Sequence, residues 1–381
     1  MHVKDSLAAF VLIGAITTPA AAQTVDVRVK VDTQMIREVS QEIRDAMREV
    51  FGPDVRRDIA NASREVAEVI GNLSRTAWTG GRQRNFPASQ TDKESRTFAI
   101  GANGEFSLEN LSGDIRIVPG SGRELTVDIT RHSRGRTEAD AKTGLTRVRV
   151  ETTHRGDRAT ARTVYPQNER QPNYSVSVDY VVTAPAGTRI TAKTLSGDVT
   201  VGAITGDLTI NSTSGDVRIT GATRLLHAKT VSGDVVLQNC AGPDVLEAGT
   251  MSGDVTGTNI KARRVELHSI SGAVTGRNVT AQSAKLATMT DDVIFDGDLA
   301  DGGRYEFSTH SGDVRLTLDG RTGFNLEATT FSGSVSSDLS LKVENLGTGR
   351  RATRNLRGTF GDGSATITAS SFSGSVVVTK R

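Results

Sequence analysis

The stretch Thr194-Leu195-Ser196-Gly197-Asp198-Val199 contains a Ser-Gly-Asp-Val motif that recurs along the rest of the chain. The same four residues return at 214–217, 232–235, 252–255 and 311–314, and variants of them lie at 271–274, 290–293, 332–335 and 373–376. The motif returns at a fixed period of about 20 residues, except that the last copy follows after about two periods. Such a period is typical of a solenoid in which each repeat forms one coil. The sequence therefore predicts an all-β fold, a parallel β-solenoid (β-helix-like) of about 20-residue coils, with a short N-terminal α-helical segment.

Alternating apolar residues predict two strands in each coil. Counted from the motif glycine as position 0, positions −7, −5, +2 and +4 are mostly apolar, as Val199 and Val201 are in the first copy. Position −3 carries a hydroxyl in every copy: Thr194, Ser212, Thr230, Thr250, Ser269, Thr288, Thr309, Thr330 and Ser371. We expect these hydroxyls to face the interior and to bond to their counterparts in the neighbouring coils.

The motif glycine allows two interpretations. Position −2 is mostly apolar, as at Leu195 and Val231, which favours a second strand that faces inward at −2, 0, +2 and +4. In the alternative, Ser-Gly-Asp forms a tight turn whose glycine has a positive φ.

The motif aspartates should form a stripe along the outside of the coils: Asp198, Asp216, Asp234, Asp254, Asp292 and Asp313. Carboxylates about 5 Å apart repel by about 0.8 kcal/mol per pair in water. Arginines two residues after a motif aspartate, such as Arg218 and Arg315, would reduce this repulsion. A calcium ladder is the alternative. Because Ala273, Ser334 and Ser375 replace the aspartate while the repeat continues, a solvated face without metal is favoured.

Motifs that carry catalysis do not occur in the sequence. The six histidines lack metal-ligand spacing, and there is no nucleophile elbow, phosphate-binding loop, zinc-protease or dinucleotide-binding motif. The single cysteine, Cys240, excludes an internal disulfide, and a net charge of +2 gives no general attraction to nucleic acid. We expect no enzymatic activity and no catalytic, cofactor-binding or metal-binding residues.

The first 95 residues differ from the repeats. Residues 1–22 combine a weakly basic start, an apolar run and three alanines, which predicts a signal peptide; the run is shorter than the ~20 residues that span a bilayer. Residues 33–76 have apolar residues at helical spacing, broken at Gly52-Pro53. They predict two amphipathic helices that pair as a hairpin, cap the solenoid or mediate self-association. Residues 77–95 should form a linker.

The repeat region should extend over residues 96–379. An early copy of the motif, Ser112-Gly113-Asp114, is separated from the next copy, at 196–199, by several times the repeat period. Strand-like runs and a short helical stretch near 137–143 fill the interval. We interpret residues 119–185 as an inserted β-hairpin region that hangs from the first coil.

The residues around the first full repeats also resemble a known family. The pattern consists of Asp-Tyr-Val-Val-Thr-Ala-Pro-Ala-Gly-Thr-Arg-Ile at 179–190, Ile-Thr-Gly-Asp-Leu at 204–208, and the motifs at 196–199 and 214–217. It resembles the bacterial "putative adhesin" domain-of-unknown-function family over about 96–379. The resemblance implies an exported or membrane-attached β-solenoid with SGD repeats, and it implies no catalytic residues.

These observations favour an exported, non-enzymatic binding or structural protein. It would be periplasmic or secreted, without a membrane span, and would present a flat polar face to a partner of the cell envelope or cell surface, either a protein or a glycan. The alternative is a polysaccharide-acting enzyme, a hydrolase or lyase, on a β-helix scaffold; converging charged residues in a pocket would favour it.

Overall fold

The computed structural model describes residues 86–166, 172–343 and 355–381, and the predicted signal peptide, the predicted helices at 33–76 and residues 77–85 of the predicted linker lie outside them. The described residues confirm the all-β fold, and the 24 strands form one solenoid-like sheet. The strands are β1 (Ala88–Ala99), β2 (Glu105–Ser112), β3 (Ile115–Gly120), β4 (Glu124–Gly135), β5 (Arg149–Arg155), β6 (Arg158–Val164), β7 (Tyr174–Pro185), β8 (Arg189–Ser196), β9 (Val199–Val201), β10 (Leu208–Ser214), β11 (Val217–Thr220), β12 (Leu225–Lys229), β13 (Val235–Gln238), β14 (Val245–Gly249), β15 (Val255–His268), β16 (Val274–Ala287), β17 (Val293–Ser311), β18 (Val314–Leu318), β19 (Phe324–Thr330), β20 (Val335–Ser337), β21 (Lys342–Val343), β22 (Asn355–Phe360), β23 (Ala365–Ser373) and β24 (Val376–Lys380). One helix, α1 (Glu138–Arg147), occurs among the described residues.

Equivalent strands of successive repeats pair in parallel. On one wall, Ile210 of β10 pairs with Ala192 of β8; on the other, Ile219 of β11 pairs with Val201 of β9. In both pairs the offset along the chain equals the spacing of the two motif glycines, Gly197 and Gly215, so each repeat adds one rung to each wall. The first wall runs through β6, β2, β8, β10, β12, β14, β15, β16, β17, β23 and β19, and the second through β7, β3, β9, β11, β13, β15, β16, β17, β18, β24 and β20.

The residues before the first full repeat extend both walls. β6 pairs in parallel with β2, and β7 pairs in parallel with β3. β5 then pairs antiparallel with β6, while β4 pairs antiparallel with both β7 and β1. Residues 119–185 thus contain the antiparallel pairs expected of a β-hairpin region, and their strands β6 and β7 also occupy the hydrogen-bonding edges that β2 and β3 would otherwise leave open. β1 corrects the predicted linker, since residues 88–95 are strand.

Helix α1 packs against strands β1, β4 and β7. Thr137 caps it: its hydroxyl accepts a hydrogen bond from the N–H of Asp140, and the Asp140 carboxylate accepts one from the N–H of Thr137. Ala141 and Gly144 are the buried positions of the helix. A side chain at 144 would overlap the hydroxyl of Ser133 on β4, so the glycine lets the helix lie close to the strand.

At the other end, the spatial order departs from the chain order. β23 lies between β17 and β19, and β24 lies between β18 and β20. The two C-terminal strands therefore form the penultimate rung. The chain reaches this position through β21 and β22, which pair antiparallel with each other, and β22 pairs antiparallel with β19 beyond the last rung of the first wall.

The interior holds the predicted apolar positions and the predicted hydroxyls. Valines at +2, such as Val217 and Val235, are fully buried. All nine hydroxyl residues at −3 are at most 5% exposed, which confirms that they face inward. Their predicted bonding is wrong, however: Thr250 donates to the carbonyl oxygen of Gly233 at 2.9 Å and Ser269 to that of Gly253 at 2.8 Å. The hydroxyl reaches the backbone of the adjacent corner because the glycine there has no side chain in the way.

Candidate binding surface

The Ser-Gly-Asp motif forms a corner in the chain. Gly197, Gly215, Gly233 and Gly253 have φ between 122° and 138°, a region that residues with a side chain rarely adopt. A Cβ atom on Gly233 would also overlap the carbonyl oxygen of Gly215 in the neighbouring rung. At these copies the interpretation of the motif as a continuous inward-facing strand is therefore wrong and the alternative with a glycine turn is correct, whereas Gly312, Gly333 and Gly374 do not have a positive φ.

Because of the corner, position −2 lies on the outside of the sheet and not on the inside. Leu195 and Val231 are half-buried, and Met251 is 41% exposed. The prediction that −2 faces inward is wrong, because the turn at the glycine breaks the two-residue alternation between −2 and +2. Position −2 instead forms a stripe along the outer edge of the corner, which we call the apolar stripe; in spatial order it comprises Leu195, Thr213, Val231, Met251, Ile270, Met289, His310, Phe372 and Phe331.

The motif aspartates bond to the backbone of the next rung. Oδ1 of Asp198 accepts from the N–H of Asp216 at 2.9 Å, Asp216 accepts likewise from Asp234, and Asp234 from Asp254. The same bond joins Asp254 to the N–H of residue 273 at 2.8 Å. The aspartate stripe is therefore a ladder of carboxylates and amides, and the prediction of a merely solvated face is incomplete.

Arginines neutralise part of this ladder, as predicted. Arg218 lies 2.7 Å from one carboxylate oxygen of Asp216 and 3.9 Å from Asp198, and Arg315 bridges Asp292 and Asp313. The N–H of Asp234, together with Arg218, holds the pKa of the Asp216 carboxyl below its ordinary value even though partial burial raises it. The carboxylate is thus ionised and engaged at neutral pH.

Stacked aromatic rings end the apolar stripe. The rings of His310 and Phe372 are 4.7 Å apart and nearly parallel, and Phe372 and Phe331 repeat this geometry. Phe331 is the last of the three and is 64% exposed. No signal in the sequence points to this stack, because Phe331 and Phe372 lie far apart along the chain and meet only through the insertion of β23 between β17 and β19.

The outer face of the first wall carries a buried ion cluster. Glu247 is 6% exposed, and its two carboxylate oxygens lie 2.8 Å from Nδ1 of His227 and 2.6 Å from Nζ of Lys229. Burial raises the pKa of Glu247, but the hydrogen bond from His227 and the charge of Lys229 outweigh it and lower the pKa to about 2. Burial also lowers the pKa of the neighbouring His268 to about 4.

This cluster does not favour the alternative of a polysaccharide-acting enzyme. A glycosidase needs a carboxylic acid that remains protonated, with a raised pKa, to protonate the leaving oxygen. Glu247 is held ionised instead, as in a structural ion cluster.

Among the described residues no group of three or more His, Cys, Asp or Glu side chains has the geometry of a metal site. The single cysteine, Cys240, is buried. In the same part of the chain no helix is long and apolar enough to cross a membrane.

A sequence comparison identifies the family of this chain. Residues 103–379 match the Toastrack DUF4097 family. The chain belongs to that family. The match runs from before β2 into β24, so the corner motif and its aspartate ladder lie inside the family domain. It confirms the resemblance to the "putative adhesin" domain-of-unknown-function family. Among curated proteins, nothing matches the chain.

Several solved structures are similar in fold to this domain. A protein from Bacteroides fragilis named a "putative adhesin" is 12% identical, with a TM-score of 0.37. From Parabacteroides distasonis, a "putative lipid binding protein" is 12% identical with a TM-score of 0.40, and a "putative adhesin" is 10% identical with a TM-score of 0.33. Each comparison covers 76% of this chain and 97% of the other.

Proposed function

We propose that this protein is an exported, non-catalytic binding protein of the cell envelope, adhesin-like, whose domain is a parallel β-solenoid of about 20-residue coils. Its partner, an envelope protein or a surface glycan, binds along the corner of the coils, where the apolar stripe lies beside the exposed motif serines and the aspartate ladder. The signal-like residues 1–22 support export, and the parallel pairing at the repeat period supports the solenoid.

One observation carries the proposal. Four large hydrophobic side chains are exposed among the described residues, and three of them, Met251, Phe331 and Phe372, occupy the same position of the repeat. An apolar side chain in water contributes nothing to folding, and an exposed apolar patch rimmed by polar groups is typical of an interaction surface. The rungs are about 4.8 Å apart, so nine positions give a stripe roughly 38 Å long, which suits an extended partner.

The polar groups of the corner support a binding role rather than catalysis. The aspartates are occupied by backbone amides and arginines, so they hold the corner in shape and leave few free charges. The motif serines at −1, such as Ser196, Ser214 and Ser232, are exposed and can donate and accept hydrogen bonds. A rigid edge with hydroxyls beside apolar side chains recognises a surface without reorganising.

Binding of the purified protein to envelopes of the producing cell tests the proposal. Met251→Ser and Phe372→Ser remove apolar contact from two places on the stripe, and we expect each to weaken binding at least fivefold. Thr200→Ala, an exposed change at position +3 of the second wall, is the matched control and should bind as the wild type does. Equal binding by all variants, or a tagged full-length protein retained in the cytoplasm on cell fractionation, would refute the proposal.

A further inference from the structure

The two phenylalanine rungs at the end of the stripe differ chemically from the others. Residues 331–337 read Phe-Ser-Gly-Ser-Val-Ser-Ser and residues 372–378 read Phe-Ser-Gly-Ser-Val-Val-Val. In both, phenylalanine stands at −2 and serine replaces the aspartate at +1, so neither rung carries a charge from −2 to +4. The rungs that keep the aspartate have no phenylalanine at −2. Aromatic rings and hydroxyls thus replace the charged ladder at this one place.

The serines that replace the aspartates are only loosely engaged. The hydroxyl oxygens of Ser334 and Ser375 are 3.2 Å apart, and the N–H of Ser334 lies 3.4 Å from the Ser375 hydroxyl. By contrast, the carboxylates elsewhere accept their amide at 2.8–2.9 Å. Ser334 is exposed, so its hydroxyl can form further hydrogen bonds with a ligand.

The second wall ends beside these rungs with an unpaired edge. β20 pairs with β24 only, among the described residues. The N–H of Val376 donates to the carbonyl of Ser334, and the N–H of Asp338 donates to the carbonyl of Val378. Because bonding alternates along a parallel strand, the backbone groups of Val335 and Ser337 face the open side. They offer donors and acceptors next to the Phe331 ring.

The geometry points to a binding site for a neutral glycan at this end, with one pyranose ring stacked on the outer face of Phe331. The stacked rings are 4.7 Å apart, close to the rung spacing of about 4.8 Å. A sugar ring on the outer face of Phe331 would therefore continue the stack at the same spacing. Its apolar C–H face meets the phenyl ring, and its hydroxyl groups meet Ser332, Ser334 and the open edge of β20.

The chemistry of the site favours a neutral sugar over other ligands. An anionic ligand would find no cation from −2 to +4 of the two rungs, and a cationic one would find no carboxylate. An added peptide strand would have only the three residues of β20 to pair with, whereas strand addition gains affinity from several main-chain bonds. The Phe331 ring offers apolar contact, and the serine hydroxyls and the edge of β20 offer polar groups beside it.

This inference rests on the proposed binding function and names the partner class for one part of the stripe. The test is affinity electrophoresis of the full chain in gels that contain a soluble α-glucan, β-glucan, mannan or galactan, followed by calorimetry with the retarding polysaccharide. We expect retardation by at least one of them. Phe331→Ala should raise the dissociation constant at least tenfold, and Ser334→Asp, which restores the aspartate of the other rungs, should do the same.

Thr200→Ala is the matched control, because Thr200 is an exposed residue of the second wall that does not belong to the apolar stripe, and it should leave glycan affinity unchanged. The inference is overturned if no polysaccharide retards the protein, or if Phe331→Ala binds as tightly as the wild type. It is also overturned if light scattering shows a dimer that Phe331→Ala dissociates, since the ring would then contact a second copy. If glycan binding fails while Met251→Ser still weakens envelope binding, the proposed function stands without this site.

Discussion

Replacing Asp216 by alanine tests whether the carboxylate–amide ladder stabilises the corner. Oδ1 of Asp216 accepts from the N–H of Asp234 at 2.9 Å, and its other oxygen lies 2.7 Å from Arg218. The side chain is 29% exposed. In Asp216→Ala the amide of Asp234 loses its acceptor and must turn to water, and Arg218 loses its nearer partner and keeps only the more distant Asp198.

The magnitude follows from these contacts. A hydrogen bond to a charged group contributes about 1.5–3 kcal/mol, and a half-exposed ion pair adds about 0–1 kcal/mol. Removing the carboxylate also relieves repulsion from the neighbouring rungs, at most about 0.8 kcal/mol per neighbour in water. With these contributions combined, we expect a net loss of about 1–2 kcal/mol in the free energy of unfolding. At roughly 2–4 °C per kcal/mol, the melting temperature should fall by about 2–8 °C.

Thermal unfolding followed by circular dichroism at pH 7.5 measures the effect. Asp216→Asn keeps an oxygen acceptor without the charge and should lose about half as much. Thr200→Ala, an exposed residue of β9, is the control for a change at the protein surface. If the melting temperature of Asp216→Ala cannot be distinguished from that of Thr200→Ala, the ladder adds no stability, and the aspartates are a solvated face after all.

Four further predictions concern the interior, the corner, pH and metal. Val235→Asp should abolish cooperative unfolding of the domain, because a fully buried side chain becomes an unpaired charge that costs several kcal/mol; retention of the wild-type far-UV spectrum and melting curve would contradict this. Gly233→Ala should destabilise more than Asp216→Ala in the same melts, since its φ is 133° and the added Cβ overlaps the carbonyl of Gly215; an equal or smaller effect would mean that the corner relaxes easily. The melting temperature should fall on acidification. Burial lowers the pKa of His268 from 6.5 to about 4, so the unfolded chain takes up a proton before the folded one as the pH drops below 6.5, and the folded state loses stability. The pKa of Glu247 is lowered from 4.5 to about 2, so its protonation in the unfolded chain removes further stability below pH 4.5. His268→Gln should flatten the loss between pH 6.5 and 4.5, and an unchanged slope would show that other groups cause it. Calcium at millimolar concentration, compared with a chelator, should not change the melting temperature, whereas a site filled to 100 times its dissociation constant would add about 2.7 kcal/mol and reveal a metal ladder.

Several features of the candidate surface could not be read from the sequence. Position −2 is apolar in most repeats, and apolar residues at a buried strand and at an exposed corner look the same in sequence. The backbone at the motif decides between them: the chain bends there both where the glycine has a positive φ, such as the 133° of Gly233, and where it does not, as at Gly333, and the side chain at −2 then points outward. Composition contains no information about that dihedral angle, so the glycine turn remained only one of two alternatives.

The sequence by itself determined the all-β fold, the pairing offset and the interior. Valine at +2 and the hydroxyl at −3 alternate with polar residues, and side-chain alternation in a strand is a local property. The tertiary structure alone decided the partners of those residues. Asp216 bonds to the amide of Asp234 in the next rung, and Phe331 stacks on Phe372, because the insertion of β23 and β24 before the last rung brings the two phenylalanines together. Such contacts depend on which strands are neighbours. The order of the strands is set only when the hydrogen bonds of the complete sheet have formed.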